Sequence, residues 1–219
     1  RLQLLETIAA SNHSLYIPAV GKVLQLELTE DSEDEFDSDL VDPLTDEEYY
    51  TKITELFGDH PLGVEAKGFF DVYLANNYHS PRIVSHLSHY NGSVIPELKD
   101  KLLKCTSDFD SPELKTTRGK QLPKSWVYYN GEILCNPNDI FALKTTGDAS
   151  DDQLLLPFDR IIGTNDAAPL AILYGDIEDP QLREYFFHLF QSSKSDKLRF
   201  VWRYADQNLD GPKEALGGY

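Results

Sequence analysis

The stretch APLAILYGDIEDPQLREYFFHLF, from Ala168 to Phe190, decides the fold. Its first half contains a continuous apolar run from Pro169 to Tyr174, which is typical of a central strand buried on both faces. Asp179 and Pro180 then have the chemistry of a helix N-cap and a first helical residue. The apolar residues that follow recur at helical spacing and predict an amphipathic helix; they are Leu182, Tyr185, Phe186, Leu189 and Phe190.

A second strand is predicted after this helix. From Leu198 to Tyr204, large apolar side chains alternate with Arg199, Val201 and Arg203, which is the period of a strand. A strand, a crossover helix and a further strand wind right-handed and form a parallel pair. The last third of the chain therefore predicts an α/β domain.

The rest of the sequence divides into a helical part and a hairpin. In the first two-fifths, apolar residues recur at helical spacing, and a capping box at Thr45–Glu48 and the pair Ser80-Pro81 mark helix starts. Ser93 predicts the start of a further helix. Asn130-Gly131 lies between two β-rich runs and predicts a β-hairpin.

Charge and hydrophobicity limit the classes of function. Hydrophobic residues make up 41% of the 219 residues, which indicates a folded chain. The net charge of −17 disfavours nucleic acid and anionic membrane surfaces as partners. Eleven acidic residues and no basic one lie between Glu30 and Glu48. This acidic block is interpreted as a solvated loop, because it lacks the ligand spacing of a calcium loop.

Targeting signals give little information. No apolar run approaches the ~20 residues needed to span a bilayer, and no signal peptide is recognisable. The chain begins at Arg1 and contains no Met, so we expect an excised or processed fragment of a longer protein.

The sequence contains no group of residues that predicts a catalytic site or a metal site. The sequence has no glycine-rich phosphate loop, no nucleophile elbow, and no Cys-x-x-Cys at the turn 175–180. His79, His86 and His89 lie close together, but no nearby Cys, Asp or Glu completes a zinc ligand set. We interpret these histidines as exposed surface residues.

Two cysteines and two glycosylation sequons are the remaining candidates for covalent chemistry. From the residues alone, Cys105 and Cys135 are equally compatible with a disulfide and with two buried thiols. Asn12 and Asn91 begin Asn-x-Ser sequons and are candidate glycan acceptors.

Several of these residues resemble one family. The apolar strand at 169–174, the helix with Phe186 and His188, and the strand LRFVWRY at 198–204 resemble the first thioredoxin-like domain of the UDP-glucose:glycoprotein glucosyltransferases. LQLLETIAA at 2–10, the Ser80-Pro81 helix and the closing Gly-Gly-Tyr at 217–219 are similar to the same domain. The resemblance points to a fungal member of the family.

This resemblance implies a thioredoxin-like fold with an inserted helical subdomain. The first helices and the acidic block would occupy 1–44, the insertion 45–104, and the remaining thioredoxin-like part 105–219. A thioredoxin-like sheet begins with a strand before the first helix, so that strand is expected to be missing here. Cys105 and Cys135 match family cysteines on either side of a hairpin, which implies a structural disulfide in an oxidising compartment. The acidic block has no counterpart in the family.

The resemblance also implies a function. Enzymes of this family transfer glucose from UDP-glucose to misfolded glycoproteins in the endoplasmic-reticulum lumen, and they use Ca²⁺ in a catalytic domain that is absent here. The chain is therefore expected to be a non-catalytic, monomeric folding-sensor domain without its own cofactor, whose partners are misfolded glycoproteins and the other domains of its parent. Phe69, Phe70 and Tyr73 could form the client surface, although core packing is the alternative for each. A purely structural spacer and a thiol–disulfide redox module remain alternative functions.

Overall fold

The computed structural model describes residues 1–26, 45–55, 70–107, 122–143 and 153–206. These residues belong to two compact units, and the boundary between the units falls between Ile83 and Val84. Most of the acidic block and Phe69 lie outside the described residues. The predicted limits of the inserted subdomain, 45–104, stay a prediction.

Among the described residues, the first unit consists of helices joined by turns. Helix α1 spans Leu2–Ser11, α2 spans Tyr16–Leu26 and α3 spans Asp46–Thr54, and residues 70–75 are also helical. No strand precedes α1 among the described residues. The fully buried side chains of this unit come from all three numbered helices; they include Leu5, Ile8, Val20, Val23 and Ile53.

The predicted capping box starts α3. The Thr45 amide donates to Glu48 Oε2 at 2.8 Å, and the Glu48 amide donates to Thr45 Oγ1 at 3.3 Å. Two otherwise unpaired amides at the helix N-terminus are satisfied in this way, so the sequence signal is confirmed.

A long helical segment runs from Ser80 to Ser107. It consists of α4 (Ser80–His89), a π-helical turn (Tyr90–Val94) and α5 (Ile95–Ser107). The sequence predicts that Ser93 begins a new helix. This prediction is wrong, because the helical segment continues through Ser93 without a break. Pro96 has no amide to donate, and the Ile95 amide bonds the Tyr90 carbonyl, so the helix widens by one residue instead of stopping.

The second unit contains a five-stranded mixed sheet. Strands β1 (Ser125–Tyr129) and β2 (Glu132–Leu134) form the predicted hairpin, and β3 (Ile161–Ile162), β4 (Leu170–Gly175) and β5 (Arg199–Tyr204) complete the order β2-β1-β4-β5-β3. Among the strands of the described residues, β4 and β5 are the one parallel pair. Helix α6 (Pro180–Lys194) connects them, so the predicted strand–helix–strand unit and the α/β class are confirmed.

Positive backbone φ angles explain the hairpin turn. Asn130 has φ 49° and Gly131 has φ 83°, which is the combination that a two-residue type I′ turn requires. The Asn-Gly pair is thus the local cause of the β1–β2 register.

Helices pack on opposite faces of this sheet. Phe186 of α6 makes edge-to-face contacts with Phe200 and Trp202, with ring centroids 5.5 and 6.0 Å apart. The other face packs against the long helical segment in a buried cluster that includes Tyr90, Val94, Leu102, Trp126, Ile172, Tyr174 and Val201. Strand residues alternate between the two faces, which explains why β4 and β5 are buried along their whole length.

Candidate functional site

The turn between β4 and α6 holds carboxylates and no thiol. The Asp176 carboxylate accepts a hydrogen bond from the Glu178 amide at 3.0 Å, and the Asp179 carboxylate accepts one from the Gln181 amide at 3.2 Å. Burial raises the pKa of Asp176, although the hydrogen bond from Glu178 opposes the shift. Since both cysteines of the sequence lie elsewhere, this turn cannot perform thiol–disulfide chemistry.

Gly175 is required where β4 enters this turn. A Cβ added there would overlap Leu182 Cδ1 and lie 3.2 Å from Ser125 Oγ, and Leu182 is fully buried. We predict that Gly175→Ala lowers the free energy of unfolding by about 1–3 kcal/mol through overpacking. Urea denaturation measures the free energy of unfolding of this variant. Gly92→Ala is the control, because no atom lies within 4 Å of a Cβ added at Gly92. Equal losses in both variants would contradict the overpacking account.

The two cysteines are paired in the structure. A disulfide joins Cys105, in the last turn of α5, to Cys135, which directly follows β2, and their Cα atoms lie 5.6 Å apart. Both residues are half-buried. The bridge connects the end of the long helical segment to the edge hairpin of the sheet.

A buried ion pair connects β5 to the loop before β3. Arg203 donates from Nε to Asp159 Oδ1 at 2.9 Å and from Nη2 to Asp159 Oδ2 at 2.6 Å, and both side chains are at most 3% exposed. Arg203 also donates to the Tyr174 hydroxyl at 2.8 Å and to the Leu154 carbonyl at 2.6 Å. Burial is the largest single influence and lowers the pKa of Arg203, but the hydrogen bonds and charge interactions with Asp159 and Tyr174 together outweigh it, and the net shift is upward.

His86 and His89 face this buried region, which corrects the interpretation of them as exposed. His86 is only 2% exposed, its ring stacks on Tyr204 at 4.6 Å, and it lies 4.6 Å from the ring of Phe158. His89 is half-buried, and its Nε2 lies 3.4 Å from Nη1 of Arg203. His79, which the sequence analysis also placed on the surface, is half-buried in the first unit. The burial of these histidines could not be predicted from the sequence, because the residues that cover them come from distant strands and loops.

His89 gives the second unit a pH dependence. Burial, followed by the positive charge of Arg203, lowers the pKa of His89, although Asp159 opposes the shift. The unfolded chain has an ordinary histidine pKa of about 6.5, so it binds the proton at higher pH than the folded chain. We predict that stability falls as pH decreases below about 6.5, until the lower folded pKa is passed, and that His89→Gln flattens this dependence. Urea midpoints measured over this range test it, and equal slopes in both proteins would contradict it.

An exposed aromatic cluster lies at the C-terminal end of the helical residues 70–75. Val72, Tyr73 and Tyr78 are 55%, 37% and 63% exposed, and the Tyr73 and Tyr78 ring centroids are 4.9 Å apart. The His79 ring makes a T-shaped contact with Tyr78 at 5.2 Å. We call Val72, Tyr73, Tyr78 and His79 the tyrosine patch.

The backbone holds the two tyrosines together. Asn77 has φ 48°, the Tyr78 amide donates to the Tyr73 carbonyl at 3.1 Å, and the Asn77 amide donates to the Leu74 carbonyl at 3.0 Å. This is a Schellman helix end, in which the residue after the left-handed one contacts a residue of the last turn. The Tyr73–Tyr78 contact is therefore pre-organised by the helix end.

The structure separates the residues that the sequence proposed as a client surface. Tyr73 is exposed in the tyrosine patch, whereas Phe70 is 5% exposed and its ring lies 6.3 Å from that of Tyr50. Phe70 therefore contributes to packing, and Phe69 lies outside the described residues. Sequence reasoning missed Val72 and Tyr78; the signal was Asn77, a residue type that accepts the left-handed conformation at a helix end.

The two sequon asparagines differ in their local structure. Asn12 caps a short 3₁₀ turn, where its Oδ1 accepts from the Ser14 amide at 3.0 Å and from Ser14 Oγ at 2.7 Å. Asn91 lies in the π-helical turn. Both are half-buried, and their glycosylation stays a prediction.

Among the described residues, no group of three or more His, Cys, Asp or Glu side chains is placed to hold a metal ion. Within the same part of the chain, no helix is long and apolar enough to cross a membrane.

Comparison with known proteins agrees with this architecture. A family described as "Thioredoxin-like domain" matches residues 1–211. Killer toxin-resistance protein 5 of Saccharomyces cerevisiae is 34% identical over 96 residues, which is 40% of this chain. The match covers 7% of that relative's length, so the relative is a far larger protein.

Proposed function

Because the chain belongs to the thioredoxin-like domain family, we propose that it is a non-catalytic folding-sensor domain of a UDP-glucose:glycoprotein glucosyltransferase. Three observations support the proposal. The strand–helix–strand residues 169–204 resemble those enzymes, the turn 175–180 has no thiol where redox-active thioredoxin-like proteins carry Cys-x-x-Cys, and a much larger yeast protein contains a similar segment. Glucose transfer, UDP-glucose and Ca²⁺ then belong to another part of the parent protein.

The tyrosine patch carries the sensing part of this proposal. Exposed apolar side chains that form a contiguous surface mark interaction sites, and tyrosine supplies a large contact area at a low cost in conformational entropy. Since the helix end already fixes Tyr73 against Tyr78, a client that binds there orders few side chains. The patch is suited to apolar segments that a misfolded glycoprotein exposes and a folded one buries.

The setting of this function follows from the same assignment. The domain would act in the endoplasmic-reticulum lumen, an oxidising compartment in which the Cys105–Cys135 disulfide can form. Its partners would be misfolded glycoproteins and the neighbouring domains of the parent chain. A purely structural spacer would have the same fold but would bind no client.

Substitutions in the tyrosine patch test its role. We predict that Tyr73→Ser combined with Tyr78→Ser weakens binding of a denatured glycoprotein by about tenfold or more, because truncating each central aromatic side chain typically costs over 1 kcal/mol. Biolayer interferometry with an immobilised, reduced and alkylated glycoprotein measures the affinity. Far-UV circular dichroism checks that the variant is folded.

A matched control removes exposed apolar area elsewhere. Phe141 and Ile161 are 59% and 40% exposed and lie in the second unit, so Phe141→Ser with Ile161→Ser should leave the affinity within about twofold. Equal affinity of the tyrosine variant and the wild-type chain would show that clients bind elsewhere. Loss of binding in both double variants would show that exposed apolar area in general, rather than this patch, retains the client.

A further inference from the structure

A cavity opens onto the disulfide. Its volume is about 650 Å³, and both Cys105 and Cys135 line it. Lys101 and Lys104 of α5 also line it, together with Glu132 of β2 and Asp139 of a 3₁₀ helix (Pro137–Ala142) that follows the hairpin. The sulfur atoms are therefore at the wall of a space that can admit another side chain.

This position differs from that of a disulfide sealed in a core. Both cysteines are half-buried, whereas Leu102 and Tyr90 of the long helical segment are fully buried in the apolar cluster that covers the sheet. Exposed disulfides are the ones that exchange with thiols, whereas sealed ones resist reduction. We therefore expect the apolar contacts of this cluster to hold the helix on the sheet when the bridge is opened.

We propose that the Cys105–Cys135 disulfide is a thiol–disulfide exchange site that accepts a dithiol reductant, such as the Cys-x-x-Cys pair of an oxidoreductase, in the folded protein. A reductant thiolate attacks Sγ of Cys135, a mixed disulfide forms there, and Cys105 leaves as a thiolate that takes up a proton. The second reductant thiol, as its thiolate, then attacks the reductant sulfur of the mixed disulfide and releases Cys135. Two electrons pass from the dithiol to the protein disulfide, and the reductant becomes a disulfide.

The local charges select the sulfur that leaves. Lys104 precedes Cys105 directly, Lys101 lies one helical turn before it, and both lysines line the same cavity as Cys105. Cys135 is flanked by Leu134 and Asn136. A thiolate next to lysines is stabilised and is the better leaving group, which directs attack to Cys135.

The chain acts here as the substrate of the exchange, which separates this inference from a catalytic redox module. The inference rests on the disulfide of the structure and is independent of client binding by the tyrosine patch. Its test therefore begins with the intact mass of the chain from a secretory host, alkylated without reductant. Two free thiols at that step would overturn it and would leave the proposed sensing function untouched.

Kinetics of reduction under native conditions form the main experiment. We expect the rate of thiol release to rise in proportion to dithiothreitol concentration, while far-UV circular dichroism stays unchanged. After a brief reaction with reduced glutathione, peptide mapping should find the glutathione on Cys135. A rate that becomes independent of thiol concentration would overturn the proposal, because reduction would then wait for unfolding; glutathione on Cys105 would overturn the assigned direction of attack.

Charge variants separate the lysine effect from general electrostatics. Lys101→Gln with Lys104→Gln should slow the exchange about three- to tenfold at low ionic strength. Lys99→Gln with Lys197→Gln makes the same change in net charge at exposed positions that do not line the cavity, and it should leave the rate near that of the wild type. Equal slowing by both pairs would overturn the role of Lys101 and Lys104.

Discussion

Asp159→Ala lowers the free energy of unfolding of the second unit by about 3–5 kcal/mol, because it leaves the guanidinium of Arg203 buried without its counter-charge. Arg203 would keep its hydrogen bonds to Tyr174 and Leu154, but neither partner carries a negative charge. Urea denaturation followed by tryptophan fluorescence measures the change. Both tryptophans of the chain, Trp126 and Trp202, are buried in this unit, so the signal reports on it directly.

Two controls distinguish the lost ion pair from a general effect of mutation. Asp166 is exposed in a turn of the same unit, and Asp166→Ala should change stability by no more than about 0.5 kcal/mol. Asp159→Leu with Arg203→Met removes both charges and should recover most of the loss, as apolar replacement of buried ion pairs does elsewhere. A loss below about 1 kcal/mol for Asp159→Ala would show that the pair is not buried as the structure has it.

Removal of the disulfide is the second large effect. Cys105→Ser with Cys135→Ser should lower the free energy of unfolding by about 3–4 kcal/mol, because the bridge closes a loop of 30 residues in the unfolded chain. The same fluorescence-detected urea transition measures it. Reduced and alkylated wild-type protein should show a loss of similar size, since it lacks the same bridge.

The outcome also decides whether the bridge exists in solution. If the two cysteines were free thiols, the double variant would match the wild type within about 0.5 kcal/mol. Intact mass after alkylation without reductant gives an independent answer, because a bridged chain takes up no label. Agreement between the two measurements would establish the disulfide that the family resemblance implies.

Local signals predicted most of the fold. Asp179-Pro180 marks the start of α6, Asn130-Gly131 fixes the hairpin, and Thr45 with Glu48 starts α3. Each depends on contacts within a few residues, so the sequence carries it directly. The continuous apolar run of β4 likewise needed only its neighbours in sequence to predict burial on both faces.

The polar interior could not be predicted in the same way. His86 is buried because Tyr204 and Phe158 cover its ring, and Arg203 is buried because Asp159 lies against it. These partners are separated by tens of residues, and no periodicity in the chain indicates that they meet. The π-helical turn could be predicted only in part. Pro96 indicates an interruption of the helix, but whether a proline ends a helix or widens it depends on the surrounding packing.

The candidate binding site shows the same division. The spacing of Phe70 and Tyr73 predicts that both lie on a helix. Which of them is buried depends on the face of that helix that the rest of the first unit covers, and the spacing alone does not give this. Asn77 was a readable signal for a helix end, and it places Tyr78 beside Tyr73. A helix end at Asn77 therefore predicts the contact between Tyr73 and Tyr78 from the sequence.

Binding of one glycoprotein in its native and denatured forms tests the central claim most directly. The native and denatured forms of the glycoprotein are immobilised at equal density, and the unmutated 219-residue chain is titrated against each. A folding sensor binds the denatured form at least about tenfold more tightly than the native form. Equal binding of the two forms, or no binding of either, would contradict the sensing function and leave the domain as a spacer in its parent protein.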